Sequence, residues 1–202
     1  MVRVKFCGLS RVADIEAANE LRPDYAGFVF WDKSRRCVSP ENAKALRDVL
    51  SPKIETVGVF VDESPGVIAE ICGRNIISII QLHGHEDSEY ISHVKTLTGY
   101  PVIKAFKIRG ADDVMKAEDC PADFVMLDSG MGTGKIFDWS IIAGITRPYF
   151  LAGGLDAGNV REAISRLRPY AVDVSSGIET DGVKDKVKMS KFIAEARKET
   201  GQ

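Results

Sequence analysis

The 202-residue sequence lacks several features, and each absence narrows what it can be. No apolar run approaches the roughly 20 residues needed to cross a bilayer, so no membrane role is expected. The opening residues, Met1 to Cys7, lack the long apolar region of a secretory signal, and a cytoplasmic protein is expected. The four cysteines, Cys7, Cys37, Cys72 and Cys120, are scattered without CxxC spacing, which speaks for a reducing compartment and against a structural zinc site. A net charge of only −2 argues against a surface built for nucleic acid. There is no interdomain linker and no low-complexity tract. The length suits one sizeable core and is short for two, so residues 1–202 are expected to form a single domain.

What is present is an ordinary soluble composition, 45% hydrophobic and 28% charged, arranged as repeating strand–helix units. Apolar runs suited to strands begin near positions 2, 25, 55, 76, 101, 122, 149 and 171. Between them lie amphipathic stretches. Ser10 is placed to cap a helix over about 11–21, and Ser39-Pro40 and Ser64-Pro65 each offer a cap followed by proline at the first helical position. Asn159 with Glu162 resembles a capping box. The final helix, about 184–199, has Met189, Phe192, Ile193 and Ala196 on its buried stripe. The strands read as continuous apolar runs, the pattern of parallel strands buried on both faces. Eight such units predict a (β/α)8 barrel. An open doubly wound sheet would carry a GxGxxG turn after its first strand, and Cys7-Gly8-Leu9-Ser10 does not match it.

One stretch stands apart. The strand over Phe124–Leu127 ends at Asp128, followed by Gly130, Gly132, Gly134 and Lys135, with a helix expected over about 137–144. This is not a phosphate-cradling P-loop, because Ser129 stands where the first glycine belongs and Ile136 where a hydroxyl would hold magnesium. Taken alone, the glycines describe a surface loop. On a barrel, however, chemistry sits at the C-terminal strand ends. Those ends are Cys7, the turn before Arg36, Asp62, Gln81 with His83, Lys107, Asp128, Gly153-Gly154 and Ser175-Ser176-Gly177. The last two sets follow strands seven and eight, where this fold commonly binds phosphate, and a short helix starting after Gly177 would add its dipole. Cys7 and Asp128, from strands one and six, can divide proton transfer between base and acid. Alone, Cys7 would read as a small buried hydrophobe, and Cys37, Cys72 and Cys120 are read that way. His83 stands in a turn, either solvated or part of a site, whereas His85 and His93 read as surface.

Lys5-Phe6-Cys7-Gly8-Leu9-Ser10, Gln81-Leu82-His83-Gly84, Leu127-Asp128-Ser129, Gly132-Thr133-Gly134-Lys135 with Phe137-Asp138-Trp139, Ala152-Gly153-Gly154-Leu155 and Asp173-Val174-Ser175-Ser176-Gly177-Ile178-Glu179 together resemble the phosphoribosylanthranilate isomerases of tryptophan biosynthesis. The resemblance runs in order along essentially the whole chain. It implies an Amadori rearrangement of an aminoaldose, N-(5'-phosphoribosyl)anthranilate, to 1-(2-carboxyphenylamino)-1-deoxyribulose 5-phosphate. It casts Asp128 as the general acid that opens the sugar ring and Cys7 as the general base at C2. Arg36 matches the arginine that pairs with the anthranilate carboxylate, a geometry suited to a guanidinium fork. Gln81, His83, Gly153, Gly154, Ser175, Ser176 and Gly177 are expected to bind the phosphorylated sugar. No metal or organic cofactor is implied, because the substrate nitrogen serves as electron sink. One departure is Ser34-Arg35-Arg36-Cys37, where the family often has Ser-Pro-Arg-Tyr; two adjacent arginines leave open which holds the carboxylate.

Three other readings share the barrel. The histidine-pathway isomerase performs the same rearrangement but is understood to place carboxylates at both catalytic strand ends, and Cys7 argues against it. A dual-substrate enzyme is disfavoured for the same reason. A non-catalytic sugar-phosphate binder would need neither Cys7 nor Asp128.

Overall fold

The computed structural model describes residues 1–128 and 139–198. Eight parallel strands close into a barrel in sequence order, with the first hydrogen-bonded to the eighth. They are β1 (Arg3–Cys7), β2 (Tyr25–Val29), β3 (Glu55–Phe60), β4 (Ile79–Leu82), β5 (Val102–Lys107), β6 (Phe124–Asp128), β7 (Tyr149–Ala152) and β8 (Ala171–Val174). The expected barrel is therefore present. Every strand lies within two or three residues of where the apolar runs placed it.

The helices that wrap it are α1 (Val12–Leu21), α2 (Pro40–Val49), α3 (Pro65–Gly73), α4 (Ser88–Thr98), α5 (Ala111–Glu118), α6 (Val160–Leu167) and α7 (Lys186–Arg197). Ser39 and Ser64 cap α2 and α3 as expected, their hydroxyls accepting from the Asn42 and Val67 backbone N–H groups. The buried stripe of α7 is also as read.

Four local expectations are corrected. Ser10 does not cap α1; the buried Asp14 carboxylate reaches back to accept from the Ser10 and Arg11 backbone N–H groups. Asn159 forms no side-chain cap on α6. Its amide instead donates to the Gly154 carbonyl, and Asp156 accepts from the Gly158 and Asn159 N–H groups. The sixth helix is a six-residue 3-10 helix, Trp139–Gly144, and the earlier part of the expected segment lies outside the described residues. No short helix starts directly after Gly177. A three-residue 3-10 turn, Ser176–Ile178, runs into a small antiparallel hairpin of β9 (Glu179–Thr180) and β10 (Val183–Lys184). Asp181 and Gly182 form its two-residue tip, both at positive φ (51° and 80°), the geometry that matches the twist of a tight hairpin.

Two-residue alternation sorts the barrel interior into levels. The N-terminal end is plugged by aromatics: Phe150 packs on Tyr25 and Phe124, and Phe124 stacks on Tyr170 at 5.2 Å. Val57, Ile103 and Met126 fill the middle. Lys5 and Gln81 come next, both buried, and Cys7, Val29 and Val59 line the mouth. The barrel thus passes from apolar at its base to charged at its C-terminal end.

Candidate active site

A cavity of about 570 Å³ opens at the C-terminal mouth. Its walls include Cys7, Arg36, Gln81, His83, Asp128, Gly153, Gly154, Ser175 and Ser176. Nine of the ten residues given a catalytic or binding role in the sequence therefore meet in one place; the strand-end residues Asp62 and Lys107 do not line it. Gly177 does not line the cavity. It sits in the 3-10 turn, where a Cβ would lie 2.0 Å from the Leu155 carbonyl oxygen, so its lack of a side chain serves the packing of the β8 loop against the β7 loop. Gly153 and Gly154 have φ of 93° and 64°, which L-residues rarely adopt. This pair turns the chain sharply at the end of β7 and keeps side chains away from the cavity wall.

Cys7 ends β1 and is buried. Burial pushes its thiol above the ordinary range, while the nearby Lys5 ammonium pulls in the opposite direction. Asp128 ends β6 on the far side and keeps 28% of its side-chain surface exposed. His83 stands beside it, with Nε2 3.6 Å from Asp128 Oδ2. Gln81 Nε2 lies 2.9 Å from His83 Nδ1 and also approaches the Met126 sulfur. A thioether can only accept, so the amide nitrogen faces this way and donates to Nδ1. That leaves the Nε2–H tautomer pointing at the Asp128 carboxyl. The other amide atom, Gln81 Oε1, is buried with no hydrogen-bond partner, an acceptor with capacity for a ligand hydroxyl.

Arg36 lies between the thiol and the outer rim. Its Cδ occupies the space where a Cβ on Gly8 would come within 2.5 Å, so Gly8 lets the arginine cross the end of β1. Two of its nitrogens grip Glu179, Nε to Oε1 at 2.6 Å and Nη2 to Oε2 at 2.8 Å. Arg35 also reaches Glu179 Oε2 at 2.7 Å, but its side chain is 60% exposed against 23% for Arg36. Only Arg36 lines the cavity. Lys184 completes the cluster, donating to Glu179 Oε1, the Ser175 carbonyl and Ser175 Oγ. Despite burial, which pushes it up, Glu179 is held down at about 2 by its bonds to Arg36 and Lys184. The cations outnumber the carboxylate three to one, so this wall favours an anion.

Glu179, Lys184 and Lys5 were assigned no role in the sequence, although Lys5 and Glu179 lie within the motifs quoted there. An Asp-Gly pair between short β-prone segments could have marked the hairpin that carries Glu179 and Lys184. Lys5 could have been marked as a charge between the apolar Val4 and Phe6. The remaining expectations divide. His85 and His93 are on the surface, and Cys72 and Cys120 are buried, as read. Cys37 is exposed, contrary to expectation: it ends the arginine turn with its side chain outward, and Val38 takes the buried place beside it. The glycine loop Gly130–Lys135 lies outside the described residues. Among the described residues, no helix is long and apolar enough to cross a membrane.

Comparison with known proteins identifies the family. A family model described as N-(5'-phosphoribosyl)anthranilate (PRA) isomerase matches residues 4–195. The N-(5'-phosphoribosyl)anthranilate isomerase of a Thermoanaerobacter species is 44% identical over 204 residues, covering 98% of both chains. That of Lachnoclostridium phytofermentans is 41% identical over 210 residues, covering 95% of this chain and 96% of its own. The phosphoribosyl anthranilate isomerase structure from Thermotoga maritima superposes with a TM-score of 0.89 at 38% identity, covering 98% of this chain and 99% of that one. Another solved isomerase, with a TM-score of 0.87 at 37% identity and covering 98% and 99% of the two chains, is in complex with reduced 1-(o-carboxyphenylamino)-1-deoxyribulose 5-phosphate.

Proposed function

This chain belongs to the N-(5'-phosphoribosyl)anthranilate isomerase family, and on that premise we propose how its own residues divide the work. The protein is an aldose–ketose isomerase of tryptophan biosynthesis, converting N-(5'-phosphoribosyl)anthranilate to 1-(2-carboxyphenylamino)-1-deoxyribulose 5-phosphate. The observation that carries the division of roles is that a buried thiol and a half-open carboxyl line one cavity from strands β1 and β6.

Asp128 is the general acid. It gives a proton to the ring oxygen of the furanose as the bond from C1 to that oxygen breaks, and the nitrogen lone pair forms the C1=N bond. Cys7 is the general base. Its thiolate takes the C2 proton, and those electrons flow toward the cationic nitrogen to give an enolamine, which becomes the ketone when C1 is protonated and the C2 hydroxyl loses its proton. Each proton transfer asks only for a positioned group with the right charge, typically worth about 10²–10⁴ in rate.

The cationic wall sets the orientation. Arg36, held by Glu179, presents its remaining donor surface to the anthranilate carboxylate. The Gly153-Gly154 turn and the loop of Ser175 and Ser176 hold the phosphate across the mouth. Gln81 Oε1 accepts from a sugar hydroxyl, which satisfies its otherwise unpaired amide oxygen.

The test is steady-state turnover of freshly generated phosphoribosylanthranilate, followed by loss of its fluorescence with the next pathway enzyme present. The histidine-pathway aminoaldose runs as second substrate. Turnover of the anthranilate compound alone is expected; turnover of both would make the site a dual-substrate one.

A further inference from the structure

Lys5 has no exposed surface and takes no part in the steps above. It points into the barrel directly below the mouth, two residues before Cys7 on the same face of β1. Its Nζ donates to Asp173 Oδ1 at 2.6 Å and stands near the Cys7 thiol, over Gly27. Gly27, the residue paired with Cys7 across β2, explains how the two approach each other. A Cβ on Gly27 would stand 3.1 Å from Cys7 Sγ and 3.2 Å from Lys5 Nζ, so the thiol and the ammonium share the space a side chain would fill.

A buried lysine is costly to keep charged without a partner. Burial alone would lower its proton affinity, yet Asp173 and then Cys7 outweigh burial and raise it. Lys5 is therefore an ammonium throughout the working pH range. A plain structural pair tying β1 to β8 would need no third member. Here the third member is the thiol at the catalytic mouth.

We propose that Lys5, held in place by Asp173, is the positioning residue that carries the charge of the Cys7 thiolate, making a thiolate–ammonium–carboxylate line below the substrate. The proposal rests on Cys7 being the base. In the step, the C2 proton moves to sulfur, the thiolate becomes a neutral thiol, and Lys5 keeps all its protons while turning toward Asp173. Among the described residues, the charged groups facing Cys7 are Lys5 from β1, Asp173 from β8, Lys184 from β10 and Arg36 from the β2–α2 loop. Arg36 and Lys184 are paired with Glu179 and Lys5 with Asp173, and it is the Lys5 ammonium that shares the space over Gly27 with the sulfur.

The test is the alkylation rate of Cys7 by iodoacetamide against pH in the ligand-free protein, read on the Cys7 peptide by mass spectrometry so that the other cysteines do not contribute. The double variant Lys5→Met/Asp173→Asn removes both charges and strands neither. Its alkylation midpoint is expected to rise by about one pH unit or more. Asp173→Asn alone keeps the ammonium and removes its competitor, so its midpoint is expected to fall. A midpoint that stays put in the double variant, or rises in Asp173→Asn, would overturn the proposal. If the double variant does not fold, the direction of the Asp173→Asn shift decides. The low-pH limb of turnover should move with the alkylation midpoint, which loss of packing alone would not produce. Turnover of Cys7→Ala keeps the two ideas separate. An inactive Cys7→Ala with an unmoved midpoint sinks the Lys5 role only. An active one with a Lys5-dependent midpoint sinks the base assignment and leaves the coupling standing.

Discussion

The two walls of the barrel mouth solve opposite problems. On the β1–β8 side, Cys7 is buried over a lysine with no exposed surface and beside a carboxylate gripped by three cations. On the β6 side, Asp128 is 28% exposed and faces a histidine held by Gln81. A thiol in a dry site resists ionising, so the protein supplies fixed positive charge around it. A carboxyl that gives up its proton each cycle must regain one, and contact with water serves that need. Preorganised charge belongs where water is excluded, since there it costs no reorganisation during the reaction.

Removing the reacting groups should break the comparison most severely. Cys7→Ala and Asp128→Asn are each expected to lower kcat by at least about 10²-fold, measured by substrate fluorescence. Near-normal turnover in either would take that residue out of the mechanism. The next effect separates the two arginines. Arg36→Ala should raise KM by roughly tenfold or more, the scale of a hydrogen bond to a charged group, while Arg35→Ala should change it only about twofold. The reverse ranking would move the carboxylate contact to Arg35.

Smaller effects sharpen the contrast. If His83, with Nε2 3.6 Å from Asp128 Oδ2, orients that carboxyl, His83→Gln should cost about tenfold in kcat with little change in KM. A loss confined to KM would make it a binding residue instead. Least visible in neutral turnover is the acid response of Glu179. Its folded value, about 2, lies below the ordinary carboxylate value of about 4.3, so the stability it contributes is complete above that ordinary value and is lost as pH falls toward 2. The melting temperature of the native protein should therefore drop more steeply between about pH 4.5 and 2 than that of Glu179→Gln. Parallel curves would mean that the cationic cluster does not hold Glu179 ionised.

The same division explains what could be read in advance. The barrel was legible because the strands are mostly apolar and recur at near-regular spacing, and strand ends then named the mouth residues. Cys7, Asp128 and the glycine pair were visible for that reason. Caps were read less well: Ser10 and Asn159 had the right residue type, but Asp14 and Asp156, a few positions away, take the backbone N–H groups. The supporting charges were missed because their partners are remote. Lys5 meets Asp173 168 residues away, and Arg36 meets Glu179 143 residues away, pairings that only closure of the barrel creates.

The most direct test of the two-wall division uses substrate deuterated at C2. If Cys7 removes that proton and Asp128 opens the ring, weakening the base in Cys7→Ser should enlarge the isotope effect on turnover, and weakening the acid in Asp128→Asn should suppress it. The opposite pattern, an effect enlarged in Asp128→Asn and lost in Cys7→Ser, would contradict the assignment of the two roles.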